Sequence, residues 1–209
     1  QQAVSAARGN LQLFENNLAL TKYATSSEND RYGLLQPALL DIFRACQAAF
    51  PDYFEIRFFT PDGYEDARQA RFDIGNSTDE EGQAEWFRRL ASHPEGPYVT
   101  TYMHPDTGRP ALFVGAAVRR RDMTVDNGDT EPVLRGYLGI TVDLVDFARN
   151  IADAHVGESG YLFATDPDGK VLFGRDDLRL PADFVARVRG ALKRASDEIT
   201  LDIGDEPTG

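Results

Sequence analysis

From Tyr53 onward, short runs of aromatic and β-branched residues are separated by turn-forming residues, and this pattern limits the fold more than any other feature of the 209-residue chain. Tyr53–Phe59 runs into Pro61-Asp62-Gly63 and returns through Glu65–Phe72, which predicts a β-hairpin. A short helix at Trp86–Ala91 follows, then three more strands at Tyr98–Met103, Ala111–Arg119 and Leu134–Asp143. Asp106-Thr107-Gly108 and the polar stretch Asp122–Pro132 supply the turns between them. Tight turns join antiparallel neighbours, whereas parallel strands need long crossovers, so the expectation is one α+β module with a five-stranded antiparallel sheet.

Helical periodicity precedes the strands. Val4, Ala7, Leu11, Phe14 and Leu18 recur every three or four residues, predicting one long helix with an apolar seam. Leu35, Leu39, Ile42, Cys46 and Phe50 mark a second helix, with Asn29, Asp30 and Gly33 breaking the chain between the two. The first seam is longer than a small module needs to cover its sheet, so a weak parallel homodimer through residues 4–18 is expected. After a helix at Leu144–Ala154, the run Tyr161–Ala164, Pro167-Asp168-Gly169 and Val171–Phe173 echoes the first hairpin 106 residues later, a sign of a repeated unit. Pro181–Ala195 reads as an amphipathic helix and Glu198–Ile203 as a further strand. The expected organisation is N-terminal helices at 1–52, a first module at 53–156 and a smaller, partial second module at 157–209.

Charge and composition remove several functions. Thirty-four acidic against 22 basic residues give a formal charge of -12, which repels a phosphate backbone and argues against a nucleic-acid partner. No apolar run approaches the roughly 18 residues that span a bilayer, and the N-terminus lacks the layout of a signal peptide. Gln1 stands within a helical pattern and Gly209 soon after a strand-like stretch, as in an excised domain with flanks elsewhere. A single cysteine, Cys46, forms no internal disulfide. His93, His104 and His155 lie at element ends without ligand spacing, so neither a metal nor another cofactor is expected. Asp166-Pro167-Asp168-Gly169 lacks the further ligands of a calcium loop, and no nucleophile arrangement or phosphate-cradling loop occurs.

Two helices, then Tyr53–Phe59, Asp62-Gly63, Glu65 and Arg68, resemble the opening of double Cache sensor domains, the tandem PAS-like modules of bacterial histidine kinases, diguanylate cyclases and chemoreceptors. Leu138–Leu144 is similar to the strand closing their membrane-distal module, and the resemblance runs from about residue 1 to 175. It implies a ligand-sensing region outside the cytoplasm, the periplasmic part of an inner-membrane receptor. It implies a small-molecule ligand in the distal module, membrane helices outside this fragment, and a kinase or cyclase output domain elsewhere. The fragment itself is then no enzyme. In the amino-acid-binding branch an Arg-x-Trp-Tyr motif, a Tyr-x-Asp pair before Thr-Gly and a later Asp hold the ligand. Trp86, Tyr102 before Thr107-Gly108, and Asp143 match; Ala84, Phe87 and His104 stand where that branch has Arg, Tyr and Asp. Without the arginine, whose planar fork binds a carboxylate through two hydrogen bonds, amino-acid specificity is not implied. Arg88 and Arg89, one turn away, read as solvated.

Strand alternation gives an independent reading, since residues i and i+2 share a face. Tyr98, Thr100 and Tyr102 fall on one side, as do Tyr137, Gly139, Thr141 and Asp143, while Leu138, Ile140 and Val142 point the other way, under the long helix. A face mixing aromatic and polar groups suits a small-molecule pocket, with Trp86, Tyr98, Thr100, Tyr102, His104, Asp143 and Arg57 as candidate lining. Two other functions compete: a small α+β enzyme using Asp143 and His104 as an acid-base pair, and a ligand-free structural or protein-binding module with a collapsed face.

Overall fold

The computed structural model describes residues 2–70, 75–93, 95–121, 131–145, 155–156, 160–161, 163–165, 171–173, 183–184 and 186. Two compact units divide the chain, Gln1–Leu144 and Val145–Gly209.

The first unit is built on α1 (Gln2–Glu15), α2 (Leu18–Thr25), α3 (Glu28–Asp30), a π turn at Arg31–Leu35, α4 (Gln36–Ala49), β1 (Tyr53–Phe59), β2 (Glu65–Ala70), α5 (Glu85–Ala91), β3 (Tyr98–Met103), β4 (Pro110–Arg120) and β5 (Val133–Asp143). All the pairings are antiparallel and the sheet order is β2-β1-β5-β4-β3, which gives the expected α+β, PAS-like architecture. The interior strand β1, between β2 and β5, is buried along its whole length.

One sheet face carries the helix-side core. Ile56, Phe58, Val114, Leu138, Ile140 and Val142 are buried there, and α1, α2 and α4 supply Ala7, Leu11, Phe14, Leu20, Tyr23, Leu39 and Phe43. Tyr23 meets Phe58 edge-on at 5.6 Å, and Phe14 meets Phe43 edge-on at 5.4 Å. Each fully buried side chain of this kind contributes about 1.5–3 kcal/mol.

Two helix boundaries differ from the sequence expectation. The seam through Leu18 is not one helix, because Asn17 is extended and its side chain accepts the Ala19 N–H at 2.8 Å, a cap that starts α2 afresh. Conversely, Asn29, Asp30 and Gly33 do not break the chain. The break lies at Ser26 and Ser27, and the helical path then continues through the π turn, where the Gln36 N–H bonds the Arg31 carbonyl. Buried Asp66 of β2 holds this turn, accepting from Arg31 at 3.1 Å and from Tyr32. The backbone carbonyl of Asp66 takes Gln36 Nε2 at 2.7 Å.

In the second unit β6 (His155–Val156) pairs with β7 (Gly160–Tyr161), and β8 (Ala164–Thr165) with β9 (Val171–Phe173). The latter joins the two runs read as the second hairpin. Phe163 packs on buried Phe184 at 5.3 Å. The turn Pro167-Asp168-Gly169, nearly all of the Leu144–Ala154 and Pro181–Ala195 helices, and the Glu198–Ile203 strand lie outside the described residues.

Candidate functional site

The other sheet face lies beneath α5. Register places Glu55, Arg57 and Phe59 of β1 beside Thr141, Gly139 and Tyr137 of β5, with Phe113, Gly115 and Ala117 of β4 next and Thr100 and Tyr98 of β3 beyond. α5 covers this face with Trp86, Phe87 and Leu90, which pack with Phe59, Phe113 and Tyr137. The Phe113 ring packs close on the backbone: a Cβ at Gly139 would stand 2.4 Å from it and one at Gly115 2.6 Å, so the two glycines permit the approach. Trp86 sits 4.7 Å from Phe113 and 5.8 Å from Tyr102. Side chains therefore fill the space between α5 and the sheet.

Arg57 is the centre of the polar half of this face. Only 2% exposed, it lies 3.0 Å from Glu55, 3.4 Å from Glu65 and 3.5 Å from Glu81. Its Nη2 donates to the Tyr102 hydroxyl at 3.1 Å, and its guanidinium lies over the rings of Phe59 and Trp86 at 5.0 and 5.2 Å. The Nε contact with Glu55 is close but poorly aligned for a hydrogen bond, so it acts mainly through charge. Arg68 extends the network, donating to Glu55 and to Asp106 at 3.2 Å. His104, 1% exposed, presents Nε2 to Glu55 at 3.1 Å, and Tyr102 also meets Thr141 at 3.4 Å.

A tight turn brings Glu81 in. Gly63 has φ +92°, and a Cβ there would stand 2.4 Å from the Cα of Gly82, so the 75–82 loop closes directly on the β1–β2 turn. The Gly63 carbonyl then accepts the Glu81 N–H at 2.9 Å.

The carboxylates around Arg57 are held unequally. Burial pushes Glu55 up, but Arg57, the bond from His104, and Arg68 outweigh it and hold the carboxyl at about 2. Burial also pushes up Glu65, where the charge of Arg57 falls short of offsetting it, leaving the carboxyl at about 7. Glu81 is raised for the same reason. Burial raises the Tyr102 hydroxyl, so this group stays a neutral donor and acceptor.

Of the residues singled out in the sequence, Arg57, Trp86, Tyr102 and His104 come together here, with Thr100 and Tyr98 farther along β3 on the same face. Asp143 does not join them. At the end of β5 it stands 3.9 Å from Arg109, beside a hollow of about 10 Å³ lined also by Phe54, Thr107, Pro110 and Ala111, about the room one water needs. The expected Asp143–His104 acid-base pair does not form: the carboxylate on His104 is Glu55, which is buried and firmly ionised. Arg88 and Arg89 are exposed, and Arg89 pairs with Glu85 on the outer side of α5.

Sequence reasoning missed Glu55, Glu65, Glu81, Asp106 and Arg68 as one group. Glu55, His104 and Asp106 each bring an atom that can ligate a cation within 4.8 Å of the others, but the guanidiniums of Arg57 and Arg68 already stand on these carboxylates.

No protein family matches the sequence, and no curated protein does. Solved structures do match in fold. The ligand-binding domain of the Campylobacter jejuni chemoreceptor Tlp3 in complex with L-norvaline aligns at 16% identity over 92% of this chain and 70% of that one, with a TM-score of 0.58. The same domain with 4-methylisoleucine aligns at 14% over 81% of this chain, which spans only 61% of that domain, with a TM-score of 0.55. A domain of a sensory box/GGDEF family protein from Vibrio parahaemolyticus aligns at 14% identity over 92% and 77%, also with a TM-score of 0.55. At these identities what is shared is architecture: the chain has the PAS-like fold of these bacterial sensor domains.

Proposed function

We propose that this chain is the extracytoplasmic ligand-sensing region of a bacterial membrane receptor, a double Cache-type sensor whose first module binds a small molecule between α5 and the sheet. The observation that carries this reading is the convergence of Arg57, Trp86, Tyr102 and Thr141 beneath α5, polar groups set in an aromatic wall on a sensor fold. This reading assigns binding and not catalysis, and the ion pairing of the described ionisable groups of the face supports it. The module boundaries near residues 52 and 156, a partial second module after 157, a periplasmic location, membrane helices in the parent protein and a histidine kinase or diguanylate cyclase output belong to the same proposal. Among the described residues no helix is long and apolar enough to cross a membrane. Pairing of two copies through α1 belongs to it too, on the side that leaves Leu13 exposed.

Because side chains fill the face, a ligand must select a state in which α5 stands farther from the sheet, and it shifts the protein only by binding that state more tightly. Arg57 already faces three carboxylates, so common L-amino acids are expected to stabilise the protein weakly or not at all in thermal-shift titration. A panel of amines, amino acids and carboxylates is expected to yield one class that raises the melting point by several degrees, with the effect reduced in Tyr102→Phe. A strong shift with micromolar L-amino acid would instead show a working carboxylate clamp. The filled face also favours a second reading, a ligand-free structural or protein-binding module. That reading prevails if no compound stabilises the protein and mass spectrometry of the native protein finds no co-purifying small molecule.

A further inference from the structure

The network around Arg57 is out of charge balance. Glu55, Glu65, Glu81 and Asp106 supply four carboxylates and Arg57 and Arg68 two guanidiniums, so with every carboxyl ionised these groups leave two negative charges over, of which a proton on His104 would cancel only one. Excess charge in a buried site is relieved at least cost by taking up a proton. Which carboxyl takes it follows from how each is held. Glu55 has Arg57, Arg68 and His104. Asp106 has Arg68 at 3.2 Å and the Ser77 N–H at 2.8 Å. Glu65 has longer approaches to Arg57, at 3.4 Å, and Arg68, at 3.8 Å, with the Asn76 amide at 2.9 Å. Glu81 approaches Arg57 at 3.5 Å, but its side chain keeps 7% exposure against 2% for Glu65, so the more deeply buried Glu65 gains more by losing its charge. Facing Glu65 are Glu55 and Arg57 from β1, Arg68 from β2, and Asn76 and Asp79 from the 75–82 loop, and the network reaches through Arg57, Glu55 and Arg68 to Glu81, Tyr102, His104 and Asp106.

We propose that this network is a proton-binding site, with Glu65 as the acceptor, which ties the stability of the first unit to pH across neutrality. The proposal concerns the network itself and stands or falls apart from the ligand reading. Its direction follows from linkage. Glu65 is pushed from its ordinary 4.5 up to about 7 in the folded chain, so its contribution is complete below 4.5 and is lost as pH rises through 7. Glu55 is lowered to about 2, so its contribution is present above 4.5 and is lost only as pH falls through 2, outside the neutral window.

Denaturant unfolding of the protein between pH 5.5 and 8.5 tests this. The folding equilibrium constant is expected to fall about 30-fold over that range, a slope that approaches one proton below pH 6.5. Glu65→Gln, which keeps the shape of the protonated side chain, is expected to remove most of that fall, and Glu80→Gln, on the exposed part of the same loop, to leave it intact. A flat profile in the unaltered protein, or a full slope retained in Glu65→Gln, overturns the proposal. Carbon-13 NMR titration of the glutamate carboxyls decides the matter even if Glu65→Gln fails to fold. One carboxyl titrating near 7 that persists in Glu81→Gln supports the site, and its loss in Glu81→Gln, or all of them titrating below 5.5, refutes it.

Discussion

Replacing Arg57 by Met is expected to cost about 3–5 kcal/mol and to lower the melting point by about 10 °C or more. The methionine fills much of the arginine's volume and keeps its contact with Phe59 and Trp86, so the loss reports on charge and not on a cavity. Glu55, Glu65 and Glu81 are left in a buried site with Arg68 as the one remaining guanidinium nearby, and Tyr102 loses the donor at 3.1 Å. Total stabilities of about 5–15 kcal/mol leave little margin for such a loss. If repulsion among the carboxylates is the cause, adding Glu65→Gln and Glu81→Gln to Arg57→Met will recover part of it, a non-additivity expected of groups sharing one network. An Arg57→Met protein within about 1 kcal/mol of the parent at pH 7.5 would mean that the network is solvated and the pocket face open to water.

That network shows what the sequence does and does not disclose. The alternation of β3 and β5 placed Tyr98, Thr100, Tyr102, Thr141 and Leu138, Ile140, Val142 on their observed faces, because strand geometry has a period of two and needs nothing from elsewhere in the chain. Glu55 and Arg57 left a trace as well, two charged residues at alternate positions of a strand that is otherwise aromatic and aliphatic. Such a pair signals a charge buried with a partner when both sheet faces are covered. Glu81 and Asp106 left none. They arrive on loops, through the Gly63–Gly82 approach and the turn after His104, and no periodicity records where a loop will close. Asp143 stands apart from the Arg57 network for a related reason. It has the right parity for the pocket face, yet parity fixes the side of the sheet and not the position along the strand, and Asp143 lies at the strand end beside Arg109. The helices failed differently. The apolar spacing runs unbroken through Leu18, but the capping side chain of Asn17 ends one helix and starts the next, and that local hydrogen bond overrides the period.

The double substitution Leu11→Glu with Phe14→Glu is expected to unfold the first unit, not merely to separate two copies. Leu11 is 1% and Phe14 5% exposed, and Phe14 closes edge-on over Phe43 of α4, so both side chains belong to the core that joins α1 to the sheet. Truncating a buried leucine or phenylalanine costs about 2–5 kcal/mol, and forcing a carboxylate into the same space adds desolvation to the lost packing. Two such changes exceed the whole stability of a typical domain. The seam read from the sequence as a pairing surface is thus largely consumed within the protein, and what α1 and the start of α2 offer outward is Leu13 at 71% and Leu18 at 66% exposure. Leu13→Glu separates the two roles. It is expected to change stability by no more than about 0.5 kcal/mol, since it touches no core. If two copies pair through α1, it will shift the monomer–dimer equilibrium seen by sedimentation toward monomer. Circular dichroism showing an intact fold in Leu11→Glu with Phe14→Glu would overturn the core assignment, while Leu13→Glu sedimenting like the parent at every concentration would remove α1 as the pairing surface.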